Sequence, residues 1–281
     1  LDQIKKAIAI ARQFSPLDDD ASLEGIYLEG PFISEKRVGA QNPRYVRKPD
    51  VALLEELLEL AEGLVRVVTV APEVRGAEDL FRVFCDKVRF SLAHSDASYE
   101  DAYYAFSNGV TQLTHLFNAM NGIHHRAPGP IGAACDFEDL FAEVICDGVH
   151  LHRGAVKLAF KVFKNIVMIS DSMEGCGLKD GKYALGGQTV NVTGSKATLE
   201  DGTIAGSVST LYDCFRTAVL KMGIPLERAL AACTLNPARS IGIDKKVGTL
   251  ERGKRADLLL INSENLNLDG VILRGKELFY Y

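Results

Sequence analysis

The stretch VRFSLAHSDASYEDAYYAFSNGVTQLTH, residues 88–115, holds two short apolar runs with one helical segment between them. VRFSLAH and VTQLTH have the length and the β-branched or aromatic content of strands. YEDAYYAFSNG spaces its apolar residues three to four apart and closes on Asn-Gly, as a helix does. Strand, helix, strand is the repeating unit of a parallel sheet. Both strands end on a histidine, His94 and His115. Parallel α/β sheets, open or closed into a barrel, bind ligands at those carboxyl ends.

The same alternation runs outward in both directions. LEGIYLEG (23–30), VRVVTVAP (65–72), AEVICDG (142–148) and IVMISD (166–171) read as further strands, and DVALLEELLELAEG (50–63) and GAVKLAFKVFKN (154–165) as helices. Six strand ends thus carry Glu29, Pro72-Glu73, His94, His115, Asp147 with His150, and Asp171. Glu29 stands where Gly30-Pro31 is expected to stop its strand. A β-rich excursion near 183–205, with Gly-Gly and Asp-Gly turns, follows Asp171. Two helices (208–223, 225–242) come next, and then short strands joined by glycine turns. The expected organisation is one α/β barrel domain over 1–243 and part of a small β-domain over 244–281.

A chain of 281 residues, 47% hydrophobic and 25% charged, can bury one large core. A net charge of −5 offers nothing to attract nucleic acid or an anionic membrane. The six cysteines never form a C-x-x-C pair, which suits a reducing, cytoplasmic setting and leaves the Asn191 sequon idle. No apolar stretch approaches the roughly 20 residues of a membrane span.

Glu29, His94 and His115 are candidate ligands of one divalent cation. A carboxylate and two imidazoles from separate strands form a common hydrolytic set that leaves a position for water. Asp171 ends a run that should be wholly buried. It is a candidate for accepting and returning a proton, with a helix N-cap as the structural alternative. His150, three residues past its strand, suits contact with substrate. His124, His125 and His152 read as loop residues, and Arg126 could pair with an anion.

From Leu23 almost to the C-terminus, LEGPFIS, VGAQNP, VTVAPE, AHSDAS, GVTQLTHLFNAM, RAPGPIGAA, DGVHLH, ISDS, DGTIAGS, NPARSIG and VGTLERGKRADLLL follow one another in an order that resembles the amidohydrolase superfamily, and within it the family of N-acetylglucosamine-6-phosphate deacetylases. The resemblance implies a (β/α)8 TIM-type barrel with a small β-sandwich. It also implies a divalent metal on Glu29, His94 and His115: zinc first, with iron, manganese or cobalt as alternatives, one or two per subunit. Asp171 would be the catalytic acid/base. The backbone at Asn118 and Ala119 would hold the sugar phosphate, His150 would contact the sugar, and Arg126 would reach the phosphate across a homodimer interface.

Two departures stand out. Gln41 occupies a position where many relatives have His to orient the substrate carbonyl. No H-x-H or H-G-H pair stands on a first barrel strand, where many members hold a second metal. The chain begins at Leu1 inside a helical pattern and shows six strand ends, so an N-terminal segment carrying two βα units and the partner strands of the sandwich is expected to be missing. Deacetylation of a related sugar phosphate, such as N-acetylgalactosamine 6-phosphate, and a non-catalytic binding fragment are the alternatives.

Overall fold

In the computed structural model, which describes residues 1–280, each of the six apolar runs becomes a strand. Helix α1 (Asp2–Gln13) precedes β1 (Ile26–Phe32), and two 3₁₀ turns, Glu35–Arg37 and Pro43–Tyr45, lead to α2 (Val51–Ala61). β2 (Val65–Val70), α3 (Ala77–Phe84), β3 (Arg89–Leu92), α4 (Tyr99–Ser107), β4 (Val110–Leu113), α5 (Gly129–Ala134), β5 (Phe141–Ile145), α6 (Arg153–Val162) and β6 (Asn165–Ile169) then alternate without a break. A helix between consecutive strands returns the chain to the same end of the sheet, so neighbours pair in parallel. The order is β1-β2-β3-β4-β5-β6, the strand–helix alternation of an α/β barrel. Among the described residues β1 and β6 each pair on one side only.

Side chains alternate between the two faces of each strand. Leu28, Val68, Phe90, Leu113 and Val144 belong to the outer apolar core, with Leu54 and Leu57 of α2 and Leu80 and Phe84 of α3. Phe90 meets Phe81 edge-on, centroids 5.1 Å apart. Burying each such side chain contributes about 1.5–3 kcal/mol. The inner face is mixed: Thr69, Ser91, Gln112, Thr114 and Glu143 are buried there beside Val67 and Val167.

β1 differs from its expected end. It runs past Glu29 to Phe32, because Gly30 takes a left-handed φ of 95° and the register shifts between Leu28 and Phe32. The shift is a bulge, which also lets Pro31, with no N–H to donate, lie within the strand.

Beyond β6, the excursion forms a three-stranded antiparallel sheet, β7 (Gly181–Leu185), β8 (Gln188–Thr193) and β9 (Lys196–Thr198). Val190, Val192, Ala197, Ala205 and Met173 close a second small core beneath it. The expected helix over 208–223 is shorter: α7 (Leu211–Arg216) passes into a π turn, Thr217–Lys221. The next expected helix divides at Thr234 into α8 (Leu226–Cys233) and α9 (Leu235–Ser240). β10 (Leu258–Ile261), β11 (Leu268–Leu273) and β12 (Lys276–Tyr280) make one antiparallel layer in the segment read as part of a small β-domain. Among the described residues no helix is long and apolar enough to cross a membrane.

Candidate metal centre and substrate cleft

Three strands of the parallel sheet lead directly into residues singled out by sequence. His94, His115 and Asp171 each stand two residues past the last paired residue of β3, β4 and β6. All three adopt left-handed φ values, 46°, 32° and 51°. This conformation costs a non-glycine residue about 1–2 kcal/mol and persists only where its surroundings enforce it. Here the carbonyl of each is captured: Ser34 N–H donates to His94 O (2.9 Å), Asn118 N–H to His115 O (2.9 Å) and Ser207 N–H to Asp171 O (2.7 Å). The left-handed turn swings each side chain off the pleat and over the barrel mouth.

There Glu29, from β1, meets both imidazoles. Its Oε1 lies 2.7 Å from His94 Nε2 and 3.0 Å from His115 Nε2, and the two Nε2 atoms are 3.2 Å apart. The rings stand edge to face at 87°. His94 Nδ1 lies 2.9 Å from the Arg37 carbonyl and donates to it, so a neutral His94 would turn the lone pair of Nε2 toward a cation. Arg37, outside the sequence reading, sets that tautomer through its backbone.

The electrostatics show a site short of positive charge. Burial alone would raise the Glu29 carboxyl, but hydrogen bonds from His115 and His94 hold it far below the usual range. Burial would lower His115, yet Glu29 pushes it up to about 9, with Asp171 and Glu143 adding to the rise. Asp171 is raised, by burial first and then by the charge of Glu29. Three carboxylates thus crowd two imidazoles. One carboxylate oxygen and two imidazole nitrogens are the donor set a borderline divalent cation takes, and the cation would supply the charge that the site otherwise draws from a proton on His115.

The sequence profile of the amidohydrolase family matches residues 9–278. The chain belongs to the amidohydrolase family. Within that family it is 38% identical over 268 residues to the N-acetylglucosamine-6-phosphate deacetylase of Bacillus subtilis, which takes in 93% of this chain and 68% of that one. It is 34% identical over 258 residues to the N-acetylgalactosamine-6-phosphate deacetylase of Escherichia coli, 91% of this chain and 68% of that one. Its backbone superposes on the crystal structure of the N-acetylglucosamine-6-phosphate deacetylase of Pasteurella multocida with a TM-score of 0.91 at 30% identity, over 98% of this chain and 72% of that one.

The candidate centre opens into a cleft of about 380 Å³, in which Glu29, His94, His115, Asp171, His150, Gln41, Asn118 and Ala119 come together. His150 is oriented by Asp147: its Nδ1–H donates to Oδ2 at 2.7 Å, and the other carboxylate oxygen accepts from Val149 N–H and His150 N–H. Burial would raise Asp147, but the hydrogen bonds from His150 hold it below the usual range. Gln41 Nε2 lies 3.5 Å from the Glu29 carbonyl. Asn118 already spends its backbone N–H on His115 O, and its side chain also donates there, whereas Ala119, at φ 49°, lines the cleft while its carbonyl accepts from Ser95 N–H.

Other expected or conspicuous residues lie elsewhere. Arg126 is exposed in a tight turn bridged by His124 and Ala127, beside a separate hollow lined by Ser98, Tyr99 and Glu100. His152 caps α6 by accepting from Gly154 N–H. Glu73 accepts from Ser95 Oγ–H and Asp96 N–H and so braces the loop after His94. The sequence reading missed the far wall of the cleft. Met173, Leu185 and Ile204 come from the β7–β9 excursion and its flanks, whose turns were legible but whose docking was not.

Proposed function

We propose that this chain hydrolyses the acetamide of N-acetylglucosamine 6-phosphate, releasing acetate and glucosamine 6-phosphate. The observation that carries the reading is the convergence of Glu29, His94 and His115 at the mouth of a barrel whose relatives are amino-sugar phosphate deacetylases. These three residues would hold one divalent cation, zinc by the donor set. Such a cation, when bound, supplies Lewis acidity toward the acetyl carbonyl and toward water. Asp171 takes a proton from the attacking water at its carboxylate and returns it to the departing amine nitrogen. Its raised value suits both directions of that transfer. Gln41 presents its amide N–H₂ to the carbonyl, and His150, locked by Asp147, presents Nε2 to the sugar.

The Ala119 backbone N–H would receive the phosphate. Arg126, remote from the cleft of its own subunit, would reach it from a second copy, so the working form is read as a cytoplasmic homodimer with a (β/α)8 barrel and a small β-sandwich. The Escherichia coli relative supports a second reading, the galactosamine analogue as substrate. Parallel assays of the two sugar phosphates decide between them.

The test of the mechanism is Asp171→Asn. Metal content should stay at the parent's level while kcat falls about 10²-fold or more, the scale of lost acid–base catalysis. Near-parental turnover would remove Asp171 from proton transfer, and loss of the metal would make it a ligand instead.

A further inference from the structure

We propose that Thr114 is a positioning residue for the metal centre, its hydroxyl joining the three strands that carry Glu29, His94 and His115; the inference rests on the metal reading above. Thr114 Oγ1 lies 2.5 Å from Tyr27 OH, 2.7 Å from Ser91 Oγ and 3.4 Å from Thr69 Oγ1. Four hydroxyls from β1, β2, β3 and β4 therefore meet at one point. Tyr27 stands two residues before Glu29, Ser91 three before His94, and Thr114 directly before His115.

Barrel interiors are ordinarily filled by branched apolar side chains, so polar groups here need a reason. Thr69, Ser91 and Thr114 are 0%, 0% and 4% exposed, whereas Tyr27, at the rim of the cluster, is 38% exposed. A metal site tolerates ligand displacements of about 0.2 Å. Three ligands on three strands cannot keep that tolerance if the strands slide independently, and backbone pairing runs only between adjacent strands. The hydroxyl cluster adds a direct link between the non-adjacent strands β1 and β4 and a side-chain bond to the backbone pairing of β3 with β4, at the level just below the ligands.

The experiment is zinc binding to the whole chain, measured by competition with a chromophoric chelator, alongside thermal melting. Thr114→Val keeps the shape and removes the hydroxyl; Thr114→Ser keeps the hydroxyl. The expected result is zinc affinity weakened about tenfold or more in Thr114→Val, restored to within about threefold in Thr114→Ser. Tyr27→Phe, which removes one hydroxyl from the rim, should weaken zinc in the same direction and decides the question alone if Thr114→Val fails to fold. A Thr114→Val protein that melts earlier but binds zinc as tightly as the parent would overturn the inference and leave the cluster a purely structural bond. A parent protein that takes up no zinc would instead overturn the metal reading, and the inference with it.

Discussion

Glu143 shows how far one inner-face residue can depart from its surface behaviour. It is 3% exposed, accepts from Gln112 Nε2 at 2.5 Å, and approaches His115 N–H at 3.4 Å. Burial pushes its carboxyl up to about 8, against an opposing pull from His115. Its folded value lies above the ordinary 4.5, so ionisation is penalised by the fold. Stability is therefore full below the unfolded value and is lost as pH climbs through the folded one. In the metal-stripped protein, Glu143→Gln should melt above the parent at pH 8 and level with it near pH 4.5. A difference unchanged between the two pH values, by calorimetry, would show that Glu143 is not held neutral. His94, His115 and Glu29 were legible as residues because strand ends are where ligands gather. Glu143 was not, because a Glu inside an apolar run shows its burial only when the neighbouring strands and Gln112 pack around it.

Elements position what residues supply. The β7–β8 hairpin is tied to the loop bearing Gln41 by two bonds: Gln188 Nε2–H donates to Ala40 O at 2.8 Å, and Asn42 Nδ2–H to Gly186 O at 3.1 Å. These bonds hold Leu185 and Gln41 on facing walls of the cleft. Gln188→Ala removes one neutral hydrogen bond, about 1 kcal/mol, and should raise KM about fivefold while kcat changes little. Unchanged KM in steady-state kinetics would mean that the hairpin docks without it. α4 begins with a reciprocal capping box, in which Ser98 Oγ accepts from Asp101 N–H and Asp101 Oδ2 accepts from Ser98 N–H. Ser98→Ala should cost about 1 kcal/mol of stability in urea titration. This cap is readable in SYED, whereas the hairpin docking is not, since its partners are 144 and 148 residues apart.

At the scale of the molecule, a bound cation and the open sheet pull stability in opposite directions. Zinc at 100 times its Kd should add about 2.7 kcal/mol and raise Tm by roughly 5–10 °C. Glu29→Gln should abolish most of that rise, and a parent whose Tm ignores zinc would argue against the site. β1 and β6 each present one unpaired edge among the described residues. Free edges are templates for pairing with another chain. The chain should therefore form assemblies larger than a dimer in a concentration-dependent way in sedimentation experiments. A monodisperse monomer at high concentration would show that α1 and the surrounding loops shield both edges.

The amino-acid sequence by itself determined the strand–helix alternation, the parallel sheet and the chemistry at its carboxyl end. Apolar periodicity and the residue that closes each run are local properties, read without knowing what packs against what. The tertiary structure decided the rest. It carried β1 past Glu29 through a bulge, fixed the left-handed turns at His94 and Asp171 through the distant Ser34 and Ser207 N–H groups, and gathered four hydroxyls beneath the candidate metal ligands. Each of these depends on register between strands far apart in the chain. Register is set by how whole faces pack, so no window of sequence contains it.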